Sequence, residues 1–338
     1  MNAVHGSSVA PGLLEIDDLH VAIGGVPILR GVSLQVENGT SLGIVGESGS
    51  GKSMTLRAVT RLLPKNATVS GRVTVSGRDV LAMDAAALRR YRRSVGMVFQ
   101  DPRSAVNPIH PVGSFLLERA KDSNADLRAA RERAVATLRR MRISDPEARM
   151  AQYPFELSGG LLQRVMIASV LMERPALLLA DEPTTALDVT TQADVLALTD
   201  ELRRESGTAM IFVSHDLDLA TAICDRIAVM YGGQVLEEGP AAEIASTPKH
   251  PYTRALLASR PDLDRRLPEI RVIDGAPRAA SDAGPGCPFA SRCPVALDRC
   301  AQLPPPATAG DHSVRCHRIA EVDAGILDAE LPLRVVAS

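Results

Sequence analysis

The sequence predicts an α/β fold with a mixed sheet, and three observations lead there. First, Gly46-Glu47-Ser48-Gly49-Ser50-Gly51-Lys52-Ser53 lies between the strand-like segment Thr40-Ser41-Leu42-Gly43-Ile44-Val45 and a helix-like run starting at Met54. Second, Leu177-Leu178-Leu179-Ala180 and Ala209-Met210-Ile211-Phe212-Val213 are continuously apolar, as strands buried on both faces of a parallel sheet are. Third, segments of alternating polarity broken by glycine pairs read as antiparallel hairpins. Apolar strands alternating with helical stretches are the pattern of a layered α/β domain.

Taken in order, residues 13–36 alternate around Gly24-Gly25 and read as a hairpin flanking the strand at 40–45. Residues 69–80 repeat the pattern around Gly77, residues 84–93 read as a helix, and Val95 to Phe99 as a short strand ending at Gln100. From about 101 to 165 the sequence is predominantly helical and rich in Arg and Ala, giving a helical subdomain whose charges are most simply a solvated face. The apolar strand at 177–180 runs into Asp181-Glu182-Pro183, and the one at 209–213 into Ser214-His215-Asp216. Residues 227–239 read as a hairpin through Gly232-Gly233. Beyond it the composition turns Pro-rich and contains four of the five cysteines, so a boundary is expected near 240, between a main domain over 13–240 and an extension over 241–338.

Composition narrows the classes. The chain has 338 residues, 45% hydrophobic and 23% charged, with 38 Lys and Arg against 40 Asp and Glu. A net charge of −2 gives no broad cationic surface for nucleic acid. No apolar run reaches the ~18 residues of a membrane span, and Met1 to Gly12 lacks the charged and apolar regions of a signal peptide. The expected location is therefore cytosolic, with any membrane contact made through a partner.

Gly46 to Ser53 fits G-x-x-x-x-G-K-[ST] in its proper strand, loop and helix context. Glycines at Gly46, Gly49 and Gly51, with Ser48 and Ser50 between them, let successive backbone N–H groups point at phosphate oxygens, and the helix N-terminus adds its positive end. Lys52 would then reach the β/γ-phosphates and Ser53 would ligate Mg²⁺. Asp181, at the end of an apolar strand, is the expected second metal ligand, and Glu182 the group that orients or deprotonates an attacking water. A buried structural acid pair is the alternative for these two residues.

Leu157-Ser158-Gly159-Gly160-Leu161-Leu162-Gln163-Arg164 lies between Gln100 and Asp181. Alone it could be an ordinary capped helix start. In this order, over residues 13 to about 240, the motifs resemble those of the ATPase subunits of ABC transporters, which implies a P-loop core with a mixed sheet, an antiparallel β subdomain and a helical subdomain. The resemblance implies that Ser158 and Gly160 contact ATP held by an opposite subunit, that Gln100 senses Mg²⁺ and the membrane subunit, that Ala186-Leu187-Asp188 is the D-loop, and that His215 is the switch histidine. It also implies a dimer of ATPase subunits, with itself or with a relative, since only one phosphate loop and one LSGG stretch occur. Two departures are visible: Ile23 stands where the family usually has an adenine-stacking aromatic, and Leu161-Leu162 stand where a polar or basic residue is common.

The tail resembles that of the peptide and nickel importer branch, in Pro248-Lys249-His250-Pro251-Tyr252-Thr253-Arg254-Ala255-Leu256-Leu257, in Gly286-Cys287-Pro288-Phe289 and in Arg292-Cys293-Pro294. This implies an ATPase at the cytoplasmic face of the cell membrane that powers import of oligopeptides, dipeptides or related solutes. Its partners would be two membrane permease subunits and an extracytoplasmic solute-binding protein. An exporter ATPase, or a mechanical ABC ATPase acting on nucleic acid or ribosomes, is the alternative. Cys287, Cys293, Cys300 and Cys316 fall within thirty residues; a reducing compartment disfavours disulfides. Metal binding is expected, with the branch resemblance implying a structural [4Fe–4S] cluster, Zn²⁺ as the alternative and free thiols as the third possibility. His312 and His317 flank Cys316 and either substitute as ligands or lie at the surface.

Overall fold

The structure is a computed structural model that describes residues 12–185, 187–259, 269–324 and 334–337. Strands β1 (Leu14–Ile23) and β2 (Val26–Val36) form the first hairpin, turned by Gly24 and Gly25 in the left-handed region. Strand β3 (Ser41–Val45) leads through the glycine loop into helix α1 (Lys52–Thr60), which starts at Lys52, two residues before the helix-like run at Met54. Strands β4 (Ala67–Val75) and β5 (Arg78–Asp79) follow, then α2 (Ala85–Ser94) and β6 (Val95–Val98).

The helical region comprises α3 (Pro102–Ala105), α4 (Val112–Leu116), α5 (Glu118–Asp122), α6 (Leu127–Arg140), α7 (Pro146–Ala151) and α8 (Gly159–Leu171). Helix α6 buries Ala130, Ala134, Val135 and Leu138, three and four residues apart, and leaves its arginines outside. That spacing sets one apolar stripe against α8, and the Arg-rich face is solvated as its composition suggested. The core then alternates β7 (Leu177–Asp181), α9 (Val189–Ser206), β8 (Ala209–Ser214), α10 (Leu217–Ile223), β9 (Arg226–Tyr231) and β10 (Gln234–Pro240). The remainder holds α11 (Ala241–Ser246), α12 (Pro251–Ala258), β11 (Glu269–Val272), β12 (Ala307–Ala309), β13 (His312–Val314), α13 (Ile319–Asp323) and β14 (Arg334–Ala337).

Among the described residues the main sheet has eight strands in the order β12-β13-β10-β9-β3-β8-β7-β6. Strands β9, β3, β8, β7 and β6 run parallel, and β10, β13 and β12 add antiparallel. Successive residues of the parallel strands enter opposite cores. Val45, Leu178, Ala180, Met210, Phe212 and Val229 pack with the helices, whereas Ile44, Leu177, Leu179, Ile211, Val213 and Met230 pack with the other β layer. Burial on both faces is why these strands read as unbroken apolar runs.

The antiparallel β subdomain that the resemblance implies is present: the first hairpin joins β4 and β5 in a separate four-stranded sheet, β2-β1-β4-β5, whose inner face covers the core. Its alternation reports one wet and one dry face, which a strand beside β3 would not have. The main sheet continues past residue 240, because β13 pairs with β10 at Glu237–Val314 and Glu238–Ser313. Among the described residues no helix is long and apolar enough to cross a membrane.

The junction of β10 and β13 contains a buried charged pair. His312 Nε2 lies 2.8 Å from Glu237 Oε1 and Nδ1 lies 3.2 Å from Glu243 Oε2, so this histidine is enclosed and committed to carboxylates, not at the surface. His317 Nε2 lies 2.9 Å from the Gln302 carbonyl. Burial disfavours an ionised Glu237, but hydrogen bonds from His312 and the Lys249 and His250 amides outweigh it and hold its pKa down. The Glu237 hydrogen bond in turn holds the His312 pKa above its ordinary value. The stabilisation from the imidazolium is therefore complete below the unfolded value near ~6.5 and fades as pH rises through the raised folded value. His312→Gln is expected to lower unfolding free energy by roughly 2–4 kcal/mol near pH 6 and by distinctly less near pH 9, measured by urea melts. Equal losses at both pH values would remove the charged pair as the cause.

Candidate nucleotide site

Because β3, β8, β7 and β6 are parallel neighbours, their C-terminal ends open along one edge of the sheet. Ligands of open α/β sheets bind at such an edge. The glycine loop follows β3, Asp181 and Glu182 end β7, Ser214 and His215 end β8, and Gln100 follows β6. Residues more than a hundred positions apart are brought to one place by strand order alone.

The loop needs its glycines for two physical reasons. Gly46 has φ +151°, and a Cβ there would lie 2.1 Å from the Met230 carbonyl oxygen; Gly51 has φ +103°, and its Cβ would lie 2.6 Å from Leu29. Gly51 is the N-cap of α1 and supplies no side chain to the first-turn N–H groups. Those donors, with the dipole behind them, form an anion-binding cradle. The Ser50 hydroxyl is buried with no hydrogen-bond partner among the described residues, a polar atom suited to a phosphate oxygen.

Lys52 is almost completely buried and donates to the carbonyls of Gly46 at 2.7 Å and Glu47 at 3.1 Å. Burial lowers its pKa, opposed by Glu182, Asp181 and Glu47. Ser53 Oγ donates to Asp181 Oδ1 at 2.7 Å. Burial raises the Asp181 pKa, the Ser53 bond opposes that rise, and the Glu182 charge adds to it. Two hard oxygen donors in contact, one of them an acid destabilised by burial, are a donor set that fits Mg²⁺.

The side chains converge on Glu182. Gln100 Nε2 donates to its Oε2 at 3.1 Å, Thr185 Oγ1 donates to the same oxygen at 3.1 Å, His215 Nδ1 is 3.5 Å away, and Lys52 Nζ is 4.0 Å from Oε1. Glu182 sits at φ +45°, and its amide donates to Val213 O at 3.1 Å. A left-handed non-glycine residue is strained and tends to occur at functional sites.

Ser158 caps α8, accepting from the Leu161 amide at 3.3 Å. Among the described residues none of its hydrogen bonds reaches the glycine loop. Gly160 faces Leu187 and Thr191 of the same chain, and Asp188 caps α9 by accepting from Thr191. Ala186 lies outside the described residues. The departure at Leu161-Leu162 has a packing explanation, since Leu162 is fully buried in the helical core and Leu161 packs against it. Ile23 ends β1 half-buried, paired with Val26 and Ala67.

Two residues at the site had no assigned role in the sequence. The Tyr252 hydroxyl accepts from the Glu47 amide at 3.0 Å, and Arg292 grips the Glu47 carboxylate. Both lie in tail segments with no local chemical signal, so only their long-range contacts expose them.

Cys287, Cys293, Cys300 and Cys316 line one small cavity, bordered by His250. All four are free thiols. Burial pushes Cys287 up to about 12 and Cys293 to about 11, and raises Cys316 as well. Backbone amides of Leu297 and Arg318 donate to the sulfurs of Cys300 and Cys316. Among the described residues no three His, Cys, Asp or Glu side chains gather as one metal ion requires. The thiols thus share a cavity without the tight convergence of a zinc site.

Residues 29–185 match the ABC transporter family, and residues 236–300 match the oligopeptide/dipeptide transporter C-terminal region. The chain is 42% identical to an oligopeptide transport ATP-binding protein of Salmonella typhimurium, over 87% of this chain and 89% of that protein. It is 40% identical to a dipeptide transport ATP-binding protein of Bacillus subtilis, over 90% and 94%. Among solved structures it resembles cbiO1 of Clostridium perfringens, part of the cbiONQ ABC transporter complex, with TM-score 0.62, 27% identity and coverage of 70% and 92%. It also resembles an ATP-binding cassette in a dimeric post-hydrolysis state bound to ADP and Pi, with TM-score 0.60, 28% identity and coverage of 68% and 98%.

Gly46→Ala is expected to cost roughly 2–4 kcal/mol, the sum of a left-handed non-glycine backbone and a clash with an immovable carbonyl. Urea denaturation of the purified chain measures this, and a loss under about 0.5 kcal/mol, the range of surface substitutions, would contradict the close approach.

Proposed function

Since the chain belongs to the ABC transporter ATPase family, we propose that it hydrolyses ATP to power import of oligopeptides, dipeptides or related solutes. The observation that carries the hydrolytic part is the convergence of Gln100, His215 and Lys52 on Glu182, beside the Ser53–Asp181 pair. The solute class is supported by the tail, which matches the C-terminal region of oligopeptide/dipeptide transporters. The working division is an ATPase domain over 13–240, with its helical subdomain at about 101–165, and an extension over 241–338.

In this reading the N–H groups of Gly46 to Gly51 cradle the phosphates, with the Ser48 and Ser50 hydroxyls among them, and the Lys52 ammonium turns from its loop carbonyls to the β/γ oxygens. Ser53, Asp181 and Gln100 hold Mg²⁺, which when bound neutralises charge on the phosphate oxygens. Glu182 accepts a proton from the attacking water, and His215 reads the γ-phosphate from the next strand end. Ser158, Gly160 and Asp188 act on the ATP of a second subunit. A dimer is supported by the likeness to an ATP-binding cassette whose solved structure is dimeric.

The chain sits peripherally at the cytoplasmic face of the cell membrane, and its partners are a second ABC ATPase subunit, two transmembrane permease subunits and an extracytoplasmic solute-binding protein. An apolar cleft between the core and the helical subdomain, lined by Met97, Phe99, Phe115 and Met166 beside Gln100, suits contact with a permease segment. The four cysteines hold a [4Fe–4S] cluster with a structural role. The cavity that all four thiols line supports one shared metal group, with Zn²⁺ the alternative to the cluster.

Glu182→Gln is expected to retain ATP binding and lose hydrolysis by about 10²–10⁴-fold, because the amide keeps the shape but not the base. Near wild-type turnover in the assembled transporter would remove Glu182 from that role. Anaerobic purification is expected to give brown protein with broad absorbance near ~400 nm and about four iron per chain. Metal-free protein prepared without oxygen would end the cluster assignment.

A further inference from the structure

The contact between Arg292 and Glu47 joins the cysteine-bearing extension to the phosphate loop itself. Arg292 Nη1 donates to Glu47 Oε2 at 2.6 Å and Nη2 to Oε1 at 3.2 Å, a bidentate pair across 245 residues of sequence. The other guanidinium donors are also committed: Nη1 to the Tyr231 hydroxyl at 3.0 Å, Nη2 to Ile273 O at 3.3 Å, and Nε to Asp274 O at 2.8 Å. The guanidinium carbon lies 5.8 Å from the Tyr231 ring centre and 6.0 Å from that of Phe289. All five donors used, ring contacts and a 5% exposed side chain make a rigid fork, unlike the mobile surface pairs that contribute little.

Glu47 is placed to transmit that rigidity. Its carbonyl accepts from Lys52 Nζ at 3.1 Å and from the Ser50 amide at 3.3 Å, and its amide donates to the Tyr252 hydroxyl at 3.0 Å. One residue thus meets the loop lysine through its backbone and the extension through its side chain. A cradle of N–H groups binds phosphate best when its shape is already set, since ordering it on binding subtracts from affinity.

We propose that Arg292 is a positioning residue for ATP, holding the phosphate loop in its binding shape through the Glu47 carboxylate. This rests on the assigned role of residues 46–53 as the phosphate cradle. Because Arg292 works through the loop's ground-state shape, its loss weakens nucleotide binding and spares turnover at saturation.

The test uses the full chain with Mg²⁺-ATP. Equilibrium titration of Arg292→Met and Glu47→Gln is expected to show ATP affinity reduced about tenfold in each, as loss of one bidentate charge-assisted pair implies. The double variant is expected to bind no more weakly than the worse single one, since the two side chains act as one unit. In the assembled transporter, KM for ATP of Arg292→Met rises by the same factor while its kcat stays within about twofold. Wild-type ATP affinity in Arg292→Met, or strictly additive losses in the double variant, would overturn the proposal. If Arg292→Met does not fold, Glu47→Gln decides alone, because it leaves the Arg292 ring contacts in place. Lys52→Ala separates the two levels: unchanged ATP binding there would refute the cradle itself, whereas loss there with wild-type affinity in Glu47→Gln would refute only the role of Arg292.

Discussion

Burial of the five parallel strands on both faces is the constraint from which the rest of this structure follows. Strands packed between a helical layer and an antiparallel β layer present no polar side chain between their first residue and their last. Chemistry is thereby pushed to the strand termini, and parallel direction sends those termini to one edge. Asp181 shows the cost of the arrangement: it still belongs to β7, is buried, and has its pKa raised for that reason, relieved in part by Ser53. A carboxylate held where water cannot solvate it is well matched to a divalent cation.

Glu182 occupies the next position and is treated differently. Its left-handed backbone turns the chain out of the sheet, so the carboxylate meets side chains from three other strand ends in place of the hydrophobic core. The strain is held by the Val213 carbonyl on the neighbouring strand, which ties the geometry of the acid to the register of β7 and β8. Sheet register and site geometry are thus one constraint.

The extension is bound to the core by polar contacts as well as by packing. Strand β13 pairs with β10 and is linked to it as well by the Glu237–His312 side chains, and Tyr252 and Arg292 reach the phosphate loop at Glu47. Tyr231 meets Tyr252 and Phe289 edge to face beneath that contact, and those two rings lie tilted against each other, in a chain with only nine Phe and Tyr residues in all. Aromatic area in a protein so poor in it is concentrated where the extension meets the site, and edge-to-face pairs add specificity beyond area burial. Arg292 directly precedes Cys293, so the thiol cavity and the loop share one chain segment.

By itself the sequence determined what is local. The glycine loop, the unbroken apolar strands, the Ser158 cap and the turns at Gly24-Gly25 and Gly232-Gly233 follow from backbone sterics and side-chain periodicity within a few residues, and each is present where those rules put it. The motif pattern as a whole named the residues that gather at the strand ends, but not the strand order that gathers them. Only the tertiary structure decided that β13 extends the main sheet, that His312 is buried against Glu237, and that Arg292 grips Glu47. These pairings join segments up to 245 residues apart. The entropy of closing such a loop grows only logarithmically with its length, so distance along the chain neither forbids nor selects a partner; the choice falls to the summed packing of the finished fold.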